Sequence, residues 1–236
     1  MNSGEQKKKA AEKAIEFVES GMVIGLGTGS TVHFAILRLA ELIKSGTLKN
    51  VVGIPTSRDT DTKARNLDIP ISTLDDYPSI DLVIDGADEV DPDFNLIKGG
   101  GGALLREKII AQASSKFIVI VDETKLSDKL FTNFKLPVEV VKMAQRTEKE
   151  YLQSIGGEAE LRVDADKQAY ITDEGNYILD TKFSPGVNPV ELDKLLNQRA
   201  GIAAHGLFIG LASQVVVGRS ENIEILGKQQ ANAKIL

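Results

Sequence analysis

The chain of 236 residues contains no cysteine and only two histidines, His33 and His205. The first absence excludes disulfides, thiolate metal sites and a cysteine nucleophile. The second leaves too few imidazoles for most zinc sites, and no metal site is expected. No apolar run approaches the ~20 residues that a membrane-crossing helix requires. The segment Met1–Ala11 is polar and lysine-rich and lacks the apolar core of a signal peptide, so a cytoplasmic protein is expected, with no membrane partner. Positive charge is also in deficit: 28 Lys and Arg against 34 Asp and Glu give a net charge of −6. That balance argues against a nucleic-acid partner, and any anionic ligand must be held by a local group of donors. Hydrophobic residues at 42% and charged residues at 26% are ordinary for a globular protein. The length suits one large domain or two modest ones.

The first half alternates strand and helix patterns. Ala11, Ala14, Ile15 and Val18 follow helical spacing, with Gly21 as a stop. Met22–Leu26 reads as a buried strand, followed by an amphipathic helix through Val32, Ile36, Leu39 and Ile43 that ends at Gly46. Val51–Ile54, Leu82–Ile84 and Phe117–Val121 are further strands, and Leu105, Ile109 and Ala113 mark the core-facing stripe of another helix. Apolar strands alternating with amphipathic helices imply a parallel sheet covered on both faces. Near Phe134 the pattern changes. Pro137–Val141 reads as a strand, and Thr147 with Glu150 as a capping box opening a helix. Leu161–Val163, Ala169–Ile171 and Tyr177–Asp180 read as strands, the last two joined at the turn 173–176 in a hairpin. Asn188-Pro189-Val190-Glu191 opens a helix that Gly201 stops. Strand signals return with Leu207–Ile209 and Val215–Val217, so residues 134–205 are expected to be an α+β domain inserted into a first domain of residues 1–133 and 206–236. Gly227–Leu236 reads as a polar, mobile tail.

Three motifs could carry chemistry. Lys98 is followed by four glycines and then by the helix-forming run Ala103–Lys108. A glycine loop can lie against a ligand, and Glu107 falls near the start of the helix, where the helix dipole favours an ionised carboxylate. A charged base beside such a loop outlines a proton-transfer site, although Glu107 lies off the apolar stripe and fits an exposed helix-capping residue equally. Gly25–Thr31 (Gly-Leu-Gly-Thr-Gly-Ser-Thr) joins a strand to a helix, where backbone N–H groups and hydroxyls can hold an anion. It matches neither a P-loop nor a dinucleotide fingerprint, and a tight structural turn remains an alternative. Asp85-Gly86-Ala87-Asp88-Glu89 follows a strand, at the end where α/β proteins place ligands. It reads as a substrate turn, a divalent-cation site or a solvated acidic turn. Lys7, Lys98 and Lys125 could neutralise a phosphate or an oxyanion, or be solvated. His33 and His205 read as structural.

Together these motifs resemble ribose-5-phosphate isomerases of type A. The resemblance rests on residues 25–31, 85–89 and 98–108 in that order, with Leu-Pro-Val-Glu-Val at 136–140 and His-Gly-Leu-Phe at 205–208. It implies a Rossmann-like α/β domain with helices on both faces of a parallel sheet, carrying an inserted ferredoxin-like α+β domain. It implies cofactor-free interconversion of D-ribose 5-phosphate and D-ribulose 5-phosphate through an enediolate, in the non-oxidative pentose phosphate pathway, by a homodimer or homotetramer. Residue by residue, it makes Glu107 the base, Asp85 the group for sugar ring opening, and Asp88 and Lys98 partners of the substrate oxygens. It assigns substrate binding to Lys7, Thr28, Gly29, Ser30, Thr31 and Lys125, with Gly86, Ala87, Gly99, Gly100 and Gly101 supplying backbone.

Two rival classes are weighed against it. A non-catalytic sugar-phosphate sensor would be expected to carry a DNA-binding helix-turn-helix, for which the N-terminal helix leaves no room. An amino-sugar phosphate deaminase would be expected to use a histidine, and neither histidine lies beside the three motifs. A CoA transferase would use a glutamate as a nucleophile.

Overall fold

Short runs of Val, Ile and Leu, apolar at consecutive positions, become strands buried on both faces, because successive side chains of a strand point to opposite sides. In the computed structural model, which describes residues 2–227, the elements in chain order are α1 (Ser3–Ile15), β1 (Val23–Leu26), α2 (Ser30–Lys44), β2 (Val52–Pro55), α3 (Arg58–Asn66), β3 (Leu82–Asp85), β4 (Glu89–Val90), β5 (Leu96–Ile97), α4 (Leu104–Gln112), β6 (Phe117–Asp122), β7 (Leu136–Val140), α5 (Gln145–Ser154), β8 (Glu158–Leu161), β9 (Tyr177–Lys182), α6 (Pro189–Asn197), β10 (Ile202–His205), β11 (Leu207–Phe208), β12 (Gln214–Gly218) and β13 (Ile223–Gly227). The main sheet has six strands in the order β13-β12-β6-β3-β1-β2. The last five of these run parallel, and β13 closes one edge antiparallel to β12.

The two faces alternate residue by residue. Ile84, Ile118, Ile120 and Val216 pack with α1 and α2 on one side, while Val83, Phe117, Val119, Val121, Val215 and Val217 pack with Ile110 and Ala111 of α4 on the other. Each such fully buried aliphatic side chain contributes about 1.5–3 kcal/mol of transfer free energy. β1 is followed on one side by β2 and then, after a crossover, by β3 on its other side. This reversal of direction opens a crevice at the carboxyl ends of the strands.

Residues 136–205 form a second sheet of four antiparallel strands, ordered β10-β7-β9-β8. Its β-α-β-β-α-β succession is the ferredoxin-like arrangement, with its own core around Val138, Leu152, Leu179 and Leu196. A small three-stranded sheet, β11-β5-β4, pairs the chain leaving this unit with the segment between β3 and the glycine loop.

Several local expectations are corrected. α1 ends at Ile15, six residues before Gly21, because the bonds Phe17 N–H to Ala14 and Val18 N–H to Ile15 tighten its last turn into a 3-10 form. α5 begins at Gln145 without a side-chain cap, since the 3-10 turn Lys142–Ala144 runs straight into it; Thr147 therefore lies inside the helix. Ala169–Ile171 is not a strand. Both edges of β9 are already taken by β7 and β8, and the segment folds back on the end of β8 through Tyr170 N–H to Arg162 O and a single Val163–Ala169 bridge. α6 opens as expected, with the Asn188 side chain accepting from Val190 and Glu191 N–H and Pro189 at the first turn, but it ends before Gly201, at Asn197. Gly227 closes β13; the rest of the expected tail lies outside the described residues.

Gly218 lets α1 lie directly against β12. A Cβ there would come within 2.0 Å of the Gln6 carbonyl oxygen, the residue before Lys7. Gly218→Ala should therefore destabilise the protein by about 1–3 kcal/mol, the usual range for overpacking. Gly227→Ala, where nothing among the described residues lies within 4 Å, should change stability by less than about 0.5 kcal/mol. Urea unfolding of the two variants tests the difference.

Candidate active site

Because β1, β3 and β6 are adjacent and parallel, the segments leaving their carboxyl ends emerge side by side. Leaving β1 is Gly27–Thr31, leaving β3 is Gly86–Asp88, and leaving β6 is the 3-10 turn Glu123–Lys125. The glycine loop between β5 and α4 covers them. A cleft of about 130 Å³ results, lined by Lys7, Thr28, Gly29, Ser30, Thr31, Gly86, Ala87, Asp88, Lys98, Gly99, Gly100, Gly101, Glu107 and Lys125. All the residues expected at a site from the sequence thus converge, except that Asp85 stands one layer behind the wall.

The side of the cleft beneath α2 is suited to an anion. Gly29, at φ +119°, caps α2 without a side chain, and the first turn holds no acidic residue, so the helix presents N–H groups and its positive end to the cleft. Lys7 Nζ lies 3.2 Å from Ser30 Oγ and 3.9 Å from Asp122 Oδ2, reaching the cleft from α1. The Thr28 hydroxyl is otherwise engaged. It sits among Thr56 Oγ1 at 2.8 Å, Ser57 Oγ at 2.8 Å and Thr60 Oγ1 at 3.2 Å, and the Thr60 hydroxyl bonds the Gly27 carbonyl at 2.8 Å. Thr56, Ser57 and Thr60 are functional supports that the sequence analysis missed. Their signal was a cluster of hydroxyl residues just past the end of β2.

The opposite side holds a buried charge cluster. Lys98 Nζ is 3.0 Å from Asp85 Oδ2 and 3.5 Å from Glu107 Oε2 and donates to the Gly86 carbonyl. Asp85 Oδ1 accepts the N–H groups of Thr28 at 3.0 Å and Gly86 at 2.7 Å. The turn is therefore neither solvated nor acidic surface. Among the described residues no group of three or more His, Asp or Glu is arranged to hold a metal ion. Gly27 is required for this packing, since a Cβ would fall 2.1 Å from Asp85 Oδ1. Asp88 lies nearer the opening and accepts the Gly100 N–H at 2.7 Å.

Glu107 corrects the expected face of α4. The buried residues are Leu104, Glu107, Ile110 and Ala111, whereas Ile109 of the predicted stripe is 43% exposed. The carboxylate is 5% exposed, and its Oε2 has no hydrogen-bond partner. Removal from water pushes the Glu107 pKa up to about 8; Lys98 opposes this, while Asp85 and Asp88 add to it. Burial likewise raises Asp85 against the pull of Lys98. Lys98 is itself held above its ordinary value: burial would lower it, but its carboxylate neighbours outweigh burial. An ammonium beside a carboxylate poised near neutrality, facing an anion-binding helix terminus, can move a proton next to a carbonyl and balance the charge that develops.

The chain matches the family model described as ribose 5-phosphate isomerase A (phosphoriboisomerase A) over residues 52–222. It is 54% identical to the ribose-5-phosphate isomerase A of Desulfatibacillum aliphaticivorans, covering 92% of this chain and 94% of that protein. It is 49% identical to that of Chloroflexus aurantiacus, covering 93% and 92% respectively. This chain belongs to the ribose 5-phosphate isomerase A family. Among solved structures of ribose 5-phosphate isomerases, one in complex with phospho-erythronic acid superposes with a TM-score of 0.94 at 44% identity, covering 97% of this chain and 100% of that one. The enzyme of Methanocaldococcus jannaschii superposes at 0.90 with 41% identity, covering 95% and 99%. In this ribose 5-phosphate isomerase A family member, His205 lies outside the cleft. It is fully buried, with Nε2 3.1 Å from Asn197 Oδ1 and Nδ1 3.4 Å from Lys108 Nζ, and burial lowers its pKa to about 2. His205 does touch the end of the third motif at Lys108, contrary to expectation, but as a neutral packing group.

A buried carboxyl with a raised pKa lowers stability as pH rises. Between the ordinary carboxylate range and about 8, the unfolded chain has released the Glu107 proton while the folded chain keeps it. Glu107→Gln should therefore be more stable than wild type by a few kcal/mol near pH ~9, with the difference vanishing near pH ~4. Thermal unfolding of both proteins across that range checks this; a pH-independent gap would contradict it.

Proposed function

We propose that this protein interconverts D-ribose 5-phosphate and D-ribulose 5-phosphate by a cofactor-free aldose–ketose isomerisation through a cis-enediolate, in the non-oxidative pentose phosphate pathway. The observation that carries the proposal is the buried Glu107 carboxyl, whose Oε2 makes no hydrogen bond among the described residues and lies 3.5 Å from the Lys98 ammonium, in a cleft that also holds the N-terminus of α2. Membership of the family and the fit to a relative in complex with phospho-erythronic acid support it. Such an acid carries a planar carboxylate at one end and a phosphate at the other, in the place of the enediolate oxygens and phosphate of a five-carbon sugar.

In this scheme the phosphate sits at the N–H groups of Ser30 and Thr31, with Lys7 and Lys125 balancing its charge. Asp85 serves ring opening. It does not line the cleft, so it acts through the Lys98 ammonium that bridges it to the site. Glu107 takes the proton from C2 of the open-chain aldose. The C2–H electrons form the C1–C2 double bond, and the carbonyl electrons move onto O1, where Lys98 and the glycine-loop N–H groups stabilise the negative charge. The O2–H proton passes to O1, aided by Asp88, and Glu107 returns its proton to C1 to give the ketose. Remote phosphate binding holds C1 and C2 against the base.

We further assign the catalytic unit to residues 1–133 and 206–236, and a separate inserted domain to 134–205. The reading includes a cytoplasmic homodimer or homotetramer. Its support is that no described helix is long and apolar enough to cross a membrane, and that the second unit exposes Met143, Val163, Ile171 and Leu195. Sedimentation velocity tests the assembly.

In EDTA, wild type should convert ribose 5-phosphate to ribulose 5-phosphate, and Glu107→Gln should lose at least about 10²-fold in kcat, the scale of a positioned acid–base group. A variant with near-wild-type turnover would remove Glu107 from the role of base. Lys98→Ala should lower kcat more than it raises KM, because its contact strengthens as charge develops; a pure KM effect would make Lys98 a uniform binding group. The wild-type kcat/KM should rise with pH through about 8 as Glu107 ionises, and a flat profile across that range would contradict the assignment.

A further inference from the structure

The glycine loop is held from behind by the second sheet. Arg162, just past β8, donates from Nη1 to the Gly99 carbonyl at 3.0 Å and to the Gly100 carbonyl at 3.2 Å. The rest of its guanidinium is fixed by both carboxylate oxygens of Asp180 on β9, at 2.8 Å and 2.5 Å. Tyr170 adds a third contact, its O–H donating to the Gly101 carbonyl at 3.3 Å. Its ring covers Gly102, where φ is +83° and a Cβ would fall 2.3 Å from the phenol oxygen.

The stereochemistry of the peptide unit gives these contacts a consequence. No cis peptide occurs among the described residues, and in a trans peptide the C=O and the following N–H point in opposite directions. The Gly99 carbonyl and the Gly100 N–H share one plane; the Gly100 carbonyl and the Gly101 N–H share the next. One guanidinium nitrogen that takes both carbonyls therefore turns both N–H groups away from itself. The Gly100 N–H does point to the cleft side, where it reaches Asp88 Oδ2 at 2.7 Å. Consecutive glycines have no Cβ to oppose a peptide flip, so their orientation has to be imposed from outside. A cation on the carbonyls also polarises the amides and strengthens their N–H groups as donors.

We propose that Arg162, locked by Asp180 and assisted by Tyr170, is a positioning residue for the isomerisation. It turns the Gly101 N–H toward the enediolate charge and the Gly100 N–H onto Asp88, which that bond holds in place. The inserted sheet thereby supplies part of the electrostatic preorganisation of a site whose reacting side chains come from the other unit. This rests on the isomerase reading for the identity of the anion, while the clamp itself is tested by binding.

The experiment measures three quantities for wild type, Arg162→Met, Arg162→Lys and Tyr170→Phe: affinity for phospho-D-erythronate, affinity for inorganic phosphate, and kcat with KM for ribose 5-phosphate. Arg162→Met should weaken phospho-D-erythronate about tenfold or more, the scale of a charge-assisted hydrogen bond, while inorganic phosphate changes less than about twofold. Its kcat should fall by a similar factor with KM little moved. Arg162→Lys, which keeps the charge but not the fork, should fall between Met and wild type. If Arg162→Met does not fold, Tyr170→Phe carries the same test. It keeps the ring over Gly102 and should lower phospho-D-erythronate affinity about threefold with phosphate unchanged. Parallel loss of both ligands, or loss of neither, overturns the proposal. A wild type that binds phospho-D-erythronate but does not isomerise ribose 5-phosphate overturns the functional reading instead, and the ratio of the two affinities then decides the clamp alone.

Discussion

An ammonium group buried among carboxylates is the constraint on which the rest of this structure depends. Lys98 is 2% exposed and would be strongly destabilising without partners, since an uncompensated buried charge costs about 3–5 kcal/mol. Asp85 lies 3.0 Å and Glu107 3.5 Å from it, but the same burial raises the pKa of both carboxyl groups and so opposes the charge that would balance Lys98. Buried carboxyl groups are costly to keep away from water, and here two of them meet where a proton would have to be exchanged. Stability and chemistry pull in opposite directions at this point, and the surrounding fold over-determines the geometry enough to hold it.

That over-determination comes from strand ends and small residues. Parallel pairing of β1, β3 and β6 brings three loops to one edge, and the reversal of strand order beside β1 leaves room between them. Gly27 gives Asp85 the space to turn back onto Thr28 N–H, and the hydroxyls of Thr56, Ser57 and Thr60 fix Thr28 from behind. The second sheet does for the glycine loop what the hydroxyl cluster does for the first loop. Arg162 takes the carbonyls of Gly99 and Gly100, so the N–H groups of Gly100 and Gly101 are turned away from it, and Tyr170 holds the Gly101 carbonyl. The two units are thus joined by the very backbone that lines the cleft, not merely by apolar packing.

Much of this was legible beforehand. The central strands β1, β3 and β6 stood out because each is built on an apolar run buried on both faces, and the start of α6 because Asn188 and Pro189 are a strong local signal. The residues that line the cleft were legible as three motifs, with Lys7 and Lys125 added by a family resemblance. Less legible were elements whose identity is decided by neighbours. The two-residue strands β4, β5 and β11 exist because they pair with one another, and β13 because it finds the free edge of β12. The wheel of α4 pointed the wrong way: periodicity favours Leu105, Ile109 and Ala113, but the helix is oriented by Leu104, Ile110 and Ala111 with Glu107 between them. A pattern of apolar residues cannot anticipate a face that buries a carboxylate.

The sequence by itself determined the alternation of buried strands and helices, the absence of cysteine chemistry, and the presence of a glutamate, a lysine and glycine-rich turns at strand ends. These are local properties, set by residue type, spacing and backbone freedom. The tertiary structure decided that Asp85 lies behind Lys98 and not in the wall of the cleft, that Glu107 is buried with its pKa raised to about 8, and that Arg162 holds the glycine loop from 62 or 63 positions away along the chain. Those outcomes depend on desolvation and on the directions of hydrogen bonds between distant segments. Both arise only once the sheet has assembled and water has been excluded.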